Sequence, residues 1–440
     1  MPTASKKVIN GWAMYDWANS VYNLVVTTTF FPIYFLGVTK DAFGENNVPL
    51  LGRTFKNSSL YNYTAAFAYL LIAILLPILS SIADSKGNKK RFMQFFCYLG
   101  SIACMGLFWF TGKNVEWGIF CFVLAAIGYI GSLVFYNSYL PEIAAREDQD
   151  RISAKGYSMG YIGSVLLQII GFGLVIYFEG KNDETSGPLY TFLLVGLWWI
   201  GFAQITFARL PNPQPIIQKS KHNFLVDGFR ELKSVYTQLA NTPILKTYLF
   251  AFFFYSMGVQ TVMLASTIFG DKVLHLPATK LIITVVLIQL VAIAGAVIMS
   301  KLSAKYGNLK VLATVVVFWI FICIGAYFVA ELAEKGNDAE YYFYGLAIAV
   351  GLVMGGIQSL SRSTYSKLMP STKDTASFFS FYDVAEKLAI VIGMFTYGYI
   401  DELIGMKYSL LALIIFFSIG LVALLMAIKQ QKKINYQRVS

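Results

Sequence analysis

The sequence predicts an all-α membrane protein: twelve transmembrane helices in two pseudo-symmetric six-helix bundles, with both termini cytoplasmic. Three observations predict it. Twelve apolar stretches, each near the roughly 20 residues a helix needs to cross a hydrocarbon core, run between Gly11 and Ile428. Lys and Arg gather in every second connection, 25 of the 35 in one alternate set, nine in the other, and Lys387 inside a stretch. Basic connections stay cytoplasmic, so the richer set, which includes both chain ends, marks that side. Finally, Ser80-Ser-Ile-Ala-Asp-Ser-Lys-Gly-Asn-Lys-Lys90 is echoed by Ser300-Lys-Leu-Ser-Ala-Lys-Tyr-Gly-Asn-Leu-Lys310. Ser, Gly, Asn and Lys coincide at a constant offset, each copy following the second stretch of its half. Internal duplication of this kind is how many secondary transporters are built.

In order, the predicted spans are 11–36, 62–83, 92–112, 117–140, 156–178 and 189–208, then 244–268, 279–301, 311–332, 341–361, 376–400 and 408–428. Lys6 and Lys7 ahead of the first span resemble a signal peptide, but the apolar run is too long and no small-residue cleavage site follows. The organisation is therefore a first bundle (1–208), a cytoplasmic linker (209–243) and a second bundle (244–440). The linker opens with Pro211, Pro213 and Pro215, a stiff extended exit. Leu225, Phe229, Leu232, Tyr236 and Leu239 then recur at helical spacing, as expected of an amphipathic helix lying along the inner membrane surface or binding a partner.

Composition narrows the function. The chain is 57 % hydrophobic and 13 % charged, far from an ordinary soluble domain. Its net charge of +11 sits on cytoplasmic connections, as insertion requires, which argues against nucleic-acid binding. Cys97, Cys104, Cys121 and Cys323 all lie within spans, and no further Cys or His completes a metal set, so no metal and no cofactor are expected. The two histidines, His222 and His275, fall outside the spans, against intramembrane haem ligation or a histidine proton relay.

Polar groups inside spans are costly and are the first functional candidates. Asp16, Asn19, Asn23 and Thr27 form one stripe along the first helix, facing a water-filled cavity or other helices. Tyr136 and Asn137 on the fourth span, Gln260 on the seventh, and Gln358 and Arg362 on the tenth are further cavity candidates. Gln168 and Gln289 are weaker ones, and Arg362 has the alternative of snorkelling to the inner surface. An uncharged amide ladder suits a small polar or zwitterionic solute. The eleventh span carries Asp383, Glu386 and Lys387. Asp383 and Lys387 are i, i+4 with the acid first, and one acid can pair with Lys387 while the other takes up a proton; a static ion pair is the competing reading. Gly156-Tyr-Ser158-Met-Gly160 spells a nucleophile-elbow pattern, but that motif needs a strand before it and a histidine within reach. Here it opens an apolar helix, so helix packing through Gly160 and Gly163 is expected and no enzyme is predicted.

Two layers of resemblance follow. Asp84-Ser-Lys-Gly87-Asn-Lys89-Lys90-Arg91 resembles the loop signature between the second and third helices of the major facilitator superfamily. The resemblance implies a cytoplasmic gate in which Asp84, Gly87, Lys89, Lys90 and Arg91 take part, the acid facing the start of the eleventh helix. Ser80 and Ser85 depart from it, and the second copy has Ala304 in place of the acid, so the gate is expected to be strongest in the first half. More specifically, Gly11-Trp-Ala-Met-Tyr-Asp16-Trp-Ala-Asn19-Ser, Asn137-Ser-Tyr-Leu-Pro141-Glu142, Gly156 to Gly163, Gly258-Val-Gln260-Thr261 and Gly355-Gly356-Ile-Gln358-Ser-Leu-Ser-Arg362-Ser are similar to the autophagy-related vacuolar amino-acid effluxers and their bacterial relatives. That implies two six-helix bundles, alternating access and amino-acid export. The chain departs from that branch at Met257, where the resemblance implies an acidic residue.

The expected function is thus secondary transport of a small polar solute, with amino-acid efflux as the implied activity, by alternating access and coupled to protons through Asp383, Glu386 and Lys387. No nucleotide-binding loop is present to supply another energy source. The partners are the solute, protons and the lipid bilayer; a monomer in a bacterial inner membrane is expected. A scaffold or sensor that keeps the fold without turnover is the rival, tested by Asp16→Asn and Lys387→Ala; a channel fits less well.

Overall fold

A computed structural model describes residues 2–44, 47–211 and 224–439. Its elements, in chain order, begin with α1 (Lys6–Val21), a π-helical stretch (Tyr22–Phe30) and α2 (Phe31–Phe43). A two-stranded antiparallel hairpin follows, β1 (Val48–Leu50) and β2 (Arg53–Phe55), turned through Leu51 and Gly52, both at positive φ. Then come α3 (Asn57–Lys86), α4 (Lys89–Gly106) with a single 3-10 turn after it, α5 (Val115–Ser138), α6 (Leu140–Ile143), α7 (Gln149–Glu179) and α8 (Ser186–Arg209). The remainder is α9 (Phe224–Ala240), α10 (Pro243–Lys272), α11 (Ala278–Tyr306), α12 (Asn308–Glu334), α13 (Glu340–Leu368), α14 (Thr375–Ile404) and α15 (Met406–Val439).

Among the described residues, ten helices are long and apolar enough to cross a membrane. They coincide with ten of the twelve predicted spans. The other two predicted spans fall on α10 and α14, each 30 residues long, or about 45 Å at 1.5 Å per residue. Their polar load sets α14 apart: Asp383, Glu386, Lys387, Asp401 and Glu402 lie on it. Large apolar side chains are exposed on many of these helices, among them Phe321, Phe395 and Ile415, the surface that lipid covers in a spanning protein.

The first predicted span is longer than expected and is not a uniform α-helix. Through Tyr22–Phe30 the backbone bonds shift to i→i+5, as where the Phe31 N–H reaches the Val26 carbonyl. Pro32 has no N–H to donate back into the preceding turn, and α-helical bonding resumes in α2. The Leu24 carbonyl takes hydroxyl bonds from Thr28 (2.8 Å) and Thr29 (2.9 Å). Gln168 from α7 donates to Thr29 Oγ1 at 2.8 Å, so this predicted weaker candidate braces the irregular turn. A widened turn also breaks the 3.6-residue spacing on which the stripe from Asp16 to Thr27 depends.

The chain divides into two compact units. One comprises Ala4–Tyr139 and Met159–Gly228. In it α1 packs on α8, α4 on α5 and α8, and α3 on α5. Gly160 and Gly163 let α7 close on α1: a Cβ at either would collide with Ser20 or with the Trp17 carbonyl. The elbow-like sequence is therefore a helix contact. The other unit comprises Met1–Thr3, Leu140–Ser158 and Phe229–Ser440, so the segment before and at the start of α7 clusters with the second-half helices. There α11 packs on α13, α10 on α14 and α15, and α12 on α13 and α15. Gly295 and Gly355 set the α11–α13 approach, since added methyl groups would strike the Leu352 and Ala292 carbonyls. Without a hydrophobic drive between helices in lipid, such small-residue contacts carry the association.

In the linker, α9 forms over the predicted amphipathic stretch, with Val235 and Leu239 buried and Tyr236 exposed. Pro213, Pro215 and His222, and the side chains of Leu225 and Phe229, lie outside the described residues. All four cysteines are buried and unpaired.

Candidate transport site

The residues singled out in the sequence fall into two groups, one in each unit. In the first, Asp16 on α1 is 4 % exposed and accepts a hydrogen bond from the Tyr136 hydroxyl of α5 at 2.7 Å. Trp12, one turn earlier, stacks on the Tyr136 ring at 4.5 Å and donates its indole N–H to the Tyr136 carbonyl. Asp16 and Tyr136 are thus one unit of chemistry: an acid positioned by a phenol that is itself clamped by an indole. Asn19 follows one turn on, fully buried, and neither amide atom has a hydrogen-bond partner among the described residues. A buried amide left so costs of the order of 1–3 kcal/mol per group, a demand that a polar solute or water would meet. Asn23 is half-buried at the start of the π-helical stretch, and Asn137 is buried at the end of α5.

The same unit holds the first signature copy. Asp84 is buried near the end of α3, and Gly87 caps that helix in the left-handed region at φ 62. Its N–H reaches the Asp84 carbonyl at 3.1 Å and the Asn88 N–H the Ala83 carbonyl at 3.0 Å, the αL closure that glycine favours. Lys89 is buried with its ammonium 4.1 Å from the Tyr139 ring centre. Lys90 donates to the Leu210 carbonyl at 2.9 Å, and Arg91 is exposed.

In the second unit, Lys387 pairs with Glu386 at 2.6 Å, and Gln260 of α10 donates to the other carboxylate oxygen of Glu386 at 3.1 Å. Of the two acids within reach of Lys387 on α14, Asp383 and Glu386, Glu386 is the one held in this pair. Asp383 is 2 % exposed, and its Oδ2 has no hydrogen-bond partner among the described residues, although Lys387 and Arg362 lie within electrostatic reach. Gln358 donates to the Met263 sulfur at 3.2 Å.

Arg362 does not snorkel. It is 1 % exposed, its Nε donating to Ser153 Oγ and a terminal nitrogen to the Ser153 carbonyl, both at 2.9 Å, with its guanidinium 4.3 Å over the Tyr157 ring. Planar donors matched to a hydroxyl, a carbonyl and an aromatic face explain why this arginine stays buried.

The sequence missed Asp150. This acid, 2 % exposed in the first turn of α7, accepts from Ser303 Oγ (2.7 Å), Asn308 Nδ2 (2.7 Å) and Lys367 Nζ (2.6 Å). Asn308 also accepts from Lys367 at 3.1 Å and donates to Thr364 at 3.1 Å. Ser303 and Asn308 belong to the second signature copy. A signal existed: a copy that kept its serine, glycine and asparagine but had Ala304 in place of the acid called for a carboxylate from elsewhere. Nearby, Thr375 donates to Glu142 at 2.7 Å and Arg146 to the Lys367 carbonyl at 2.8 Å.

Comparison with known proteins settles the class. The family described as "Vacuole effluxer Atg22 like" matches residues 4–437. The chain belongs to this Atg22-like family. It is 30 % identical over 419 residues to the uncharacterized MFS-type transporter YxiO of Bacillus subtilis (strain 168), covering 94 % of this chain and 93 % of that protein. It is 24 % identical over 477 residues to autophagy-related protein 22 of Kluyveromyces lactis, with 96 % and 93 % covered. Among solved structures, the major facilitator superfamily proton:xylose symporter XylE superposes with a TM-score of 0.68 at 13 % identity, over 96 % of this chain and 94 % of that one, a likeness of fold alone. This Atg22-like protein is a multi-pass integral membrane protein of the major facilitator superfamily, a transporter of a small solute and not an enzyme. The non-transporting scaffold is not favoured by these relationships.

Proposed function

We propose that this Atg22-like protein is a proton-coupled secondary transporter that exports a small polar solute by alternating access, with amino acids as the substrate class to test first. The observation that carries the reading is Asp383: a buried carboxylate with an unpartnered oxygen, one turn from an acid already neutralised by Lys387. A carboxylate that can lose or gain a proton beside a fixed ion pair is what charge coupling needs. Asp16, Asn19, Asn23, Tyr136, Asn137, Gln260, Gln358 and Arg362 are assigned to solute recognition and its support, with the unsatisfied amide of Asn19 as the foremost contact. Asp84, Gly87, Lys89, Lys90 and Arg91 are assigned to the cytoplasmic gate.

The reading takes α10 and α14 as the remaining two spans. That gives twelve helices, six on either side of the linker at 209–243, with both termini on the cytoplasmic face of a bacterial plasma membrane. The excess of basic residues on alternate connections supports that sidedness. The protein is taken to act as a monomer.

The test is transport by purified full-length protein in liposomes loaded with an amino-acid mixture. An imposed pH gradient should drive net loss of a subset of the mixture. Asp383→Asn should abolish the dependence on the gradient while leaving solute exchange, and Asn19→Ala should lower the apparent affinity. Equal loss with the gradient collapsed by an ionophore would remove the proton from the mechanism.

A further inference from the structure

An open groove of about 700 Å³ lies on the second unit between α10 and α15. Its deep walls are apolar: Phe250 on one side, Ile419, Val422 and Met426 on the other. Phe250, Val422 and Met426 are each more than half exposed, which for side chains at membrane depth means contact with lipid. At one end the character changes. Lys246 and Thr247 stand in the first turns of α10, beside its N-terminal Pro243, and Gln430 faces them from α15.

Three features at that end point to an anion. Lys246 is exposed, and its ammonium makes no ion pair or hydrogen bond among the described residues. Gln430 lines the same end, where its amide nitrogen can donate to a phosphate, while its buried Oε1, without a hydrogen-bond partner among the described residues, is an acceptor that a hydroxyl of the head group would satisfy. The start of α10 presents the positive end of a 30-residue helix. On α15 the stripe Met426, Gln430 continues at helical spacing to Lys433, and Lys429 is adjacent; both lysines are exposed. No carboxylate lines the groove among the described residues.

We propose that this groove binds a phospholipid with an anionic head group, its phosphate at Lys246 and Gln430 and an acyl chain along Phe250, Val422 and Met426. A free phosphate would use the polar end and leave the apolar walls empty; a neutral lipid would fill the walls and leave the cations uncompensated. Basic pockets between membrane helices on the cytoplasmic side have this combined demand. The proposal rests on taking α10 as a membrane span with its basic end in the cytoplasmic leaflet.

The experiment is native mass spectrometry of the delipidated full-length protein in detergent, titrated with dioleoyl phosphatidylglycerol or dioleoyl phosphatidylcholine. The wild-type chain should prefer phosphatidylglycerol, and Lys246→Gln should weaken that lipid about fivefold, the worth of one lysine near an anionic surface, without changing phosphatidylcholine. Val422→Trp, which fills the groove and leaves its charge, should weaken phosphatidylglycerol as well. Soluble glycerol phosphate should not displace it. Equal binding of the two lipids by the wild type, an unchanged Lys246→Gln or Val422→Trp, or displacement by glycerol phosphate would each overturn the proposal. These affinities are read in detergent and do not depend on sidedness. Labelling of Lys432→Cys from outside intact cells would instead overturn the orientation and leave them standing.

Discussion

The two copies of the signature, Ser80–Lys90 and Ser300–Lys310, solve the same problem with acids from different places. In the first, the carboxylate is its own: Asp84, buried near the end of α3, with Lys89 on the Tyr139 ring and Lys90 on the Leu210 carbonyl. In the second, Ala304 occupies the matching position and is exposed. The acid arrives instead from α7, where Asp150 takes donors from Ser303, Asn308 and Lys367. What a duplicated motif preserves, then, is a buried carboxylate at a helix turn, not the position that supplies it. The expectation of a gate weighted to the first half rests on position alone. The second copy holds as dense a polar network, built with a residue from the first half of the sequence.

The largest effect should come from removing that borrowed acid. Asp150→Ala takes the shared acceptor from three donors, of which Ser303 is buried, and breaking a buried, hydrogen-bonded charge costs about 3 kcal/mol. The thermal midpoint of the detergent-purified protein should fall well below that of Lys367→Met. Lys367 retains a route to water, its side chain being 21 % exposed against 3 % for Asp150, and its loss still leaves Asp150 two donors. Adding Ala304→Asp to Asp150→Ala should give no rescue, because position 304 faces away from Ser303, which is 3 % exposed. Rescue would mean that the two copies are interchangeable after all, and the comparison would fail.

How far the sequence carried is itself explained by which interactions have a local signature. Hydropathy reports residues along a single helix, so ten spans, the positions of the signature copies and the packing role of Gly160 and Gly163 were legible. So was the polar face of α1 as far as Asn19, because Asp16 and Asn19 lie before the backbone changes pitch. Asn23 and Thr27 lie beyond that change, and the π-helical turn follows from Pro32, Gln168 and two threonines acting together, with no period of its own. Spacing alone leaves the pairing on α14 open, since it allows Lys387 either acid; Gln260, from a helix more than a hundred residues away, marks Glu386 as the paired one. Asp150 was invisible for the same reason: its partners are more than 150 residues distant.

A smaller, sharper contrast lies in the two glycines that end α3 and α11 within the copies. Gly87 sits at φ 62, ψ 29, a left-handed conformation in which Asn is tolerated. Gly307 sits at φ 89, ψ 145, a region close to that which only glycine visits readily. A methyl group at Gly307 would meet nothing within 4 Å, so any penalty there is backbone strain rather than collision. Gly307→Ala should cost about 2 kcal/mol and Gly87→Ala about 1 kcal/mol. Replacement by Asn should recover part of the loss at 87 and none at 307, read from the same thermal midpoints. Equal penalties at both positions would show that the two turns are mechanically alike.

The smallest effect separates Asp150 from its neighbour two residues earlier. Asp148 also accepts hydrogen bonds, from Thr3 and from Arg151 at 2.8 Å, and these hold its carboxyl below the usual aspartate range, the Thr3 bond most. Its side chain is 35 % exposed, so solvent screens the gain to about half a kcal/mol at most. The sign follows from the depressed value. The contribution is present above the ordinary aspartate pKa of about 3.9 and is lost as the pH falls through the lower folded value. Asp148→Asn should therefore sit slightly below the wild type in thermal midpoint at neutral pH. The two should converge as the pH drops below about 4, because protonation then does to the wild type what the substitution does at every pH. A gap that widened on acidification would assign the opposite sign to this carboxylate. A gap as large as that of Asp150→Ala would show that burial is not what distinguishes the two acids.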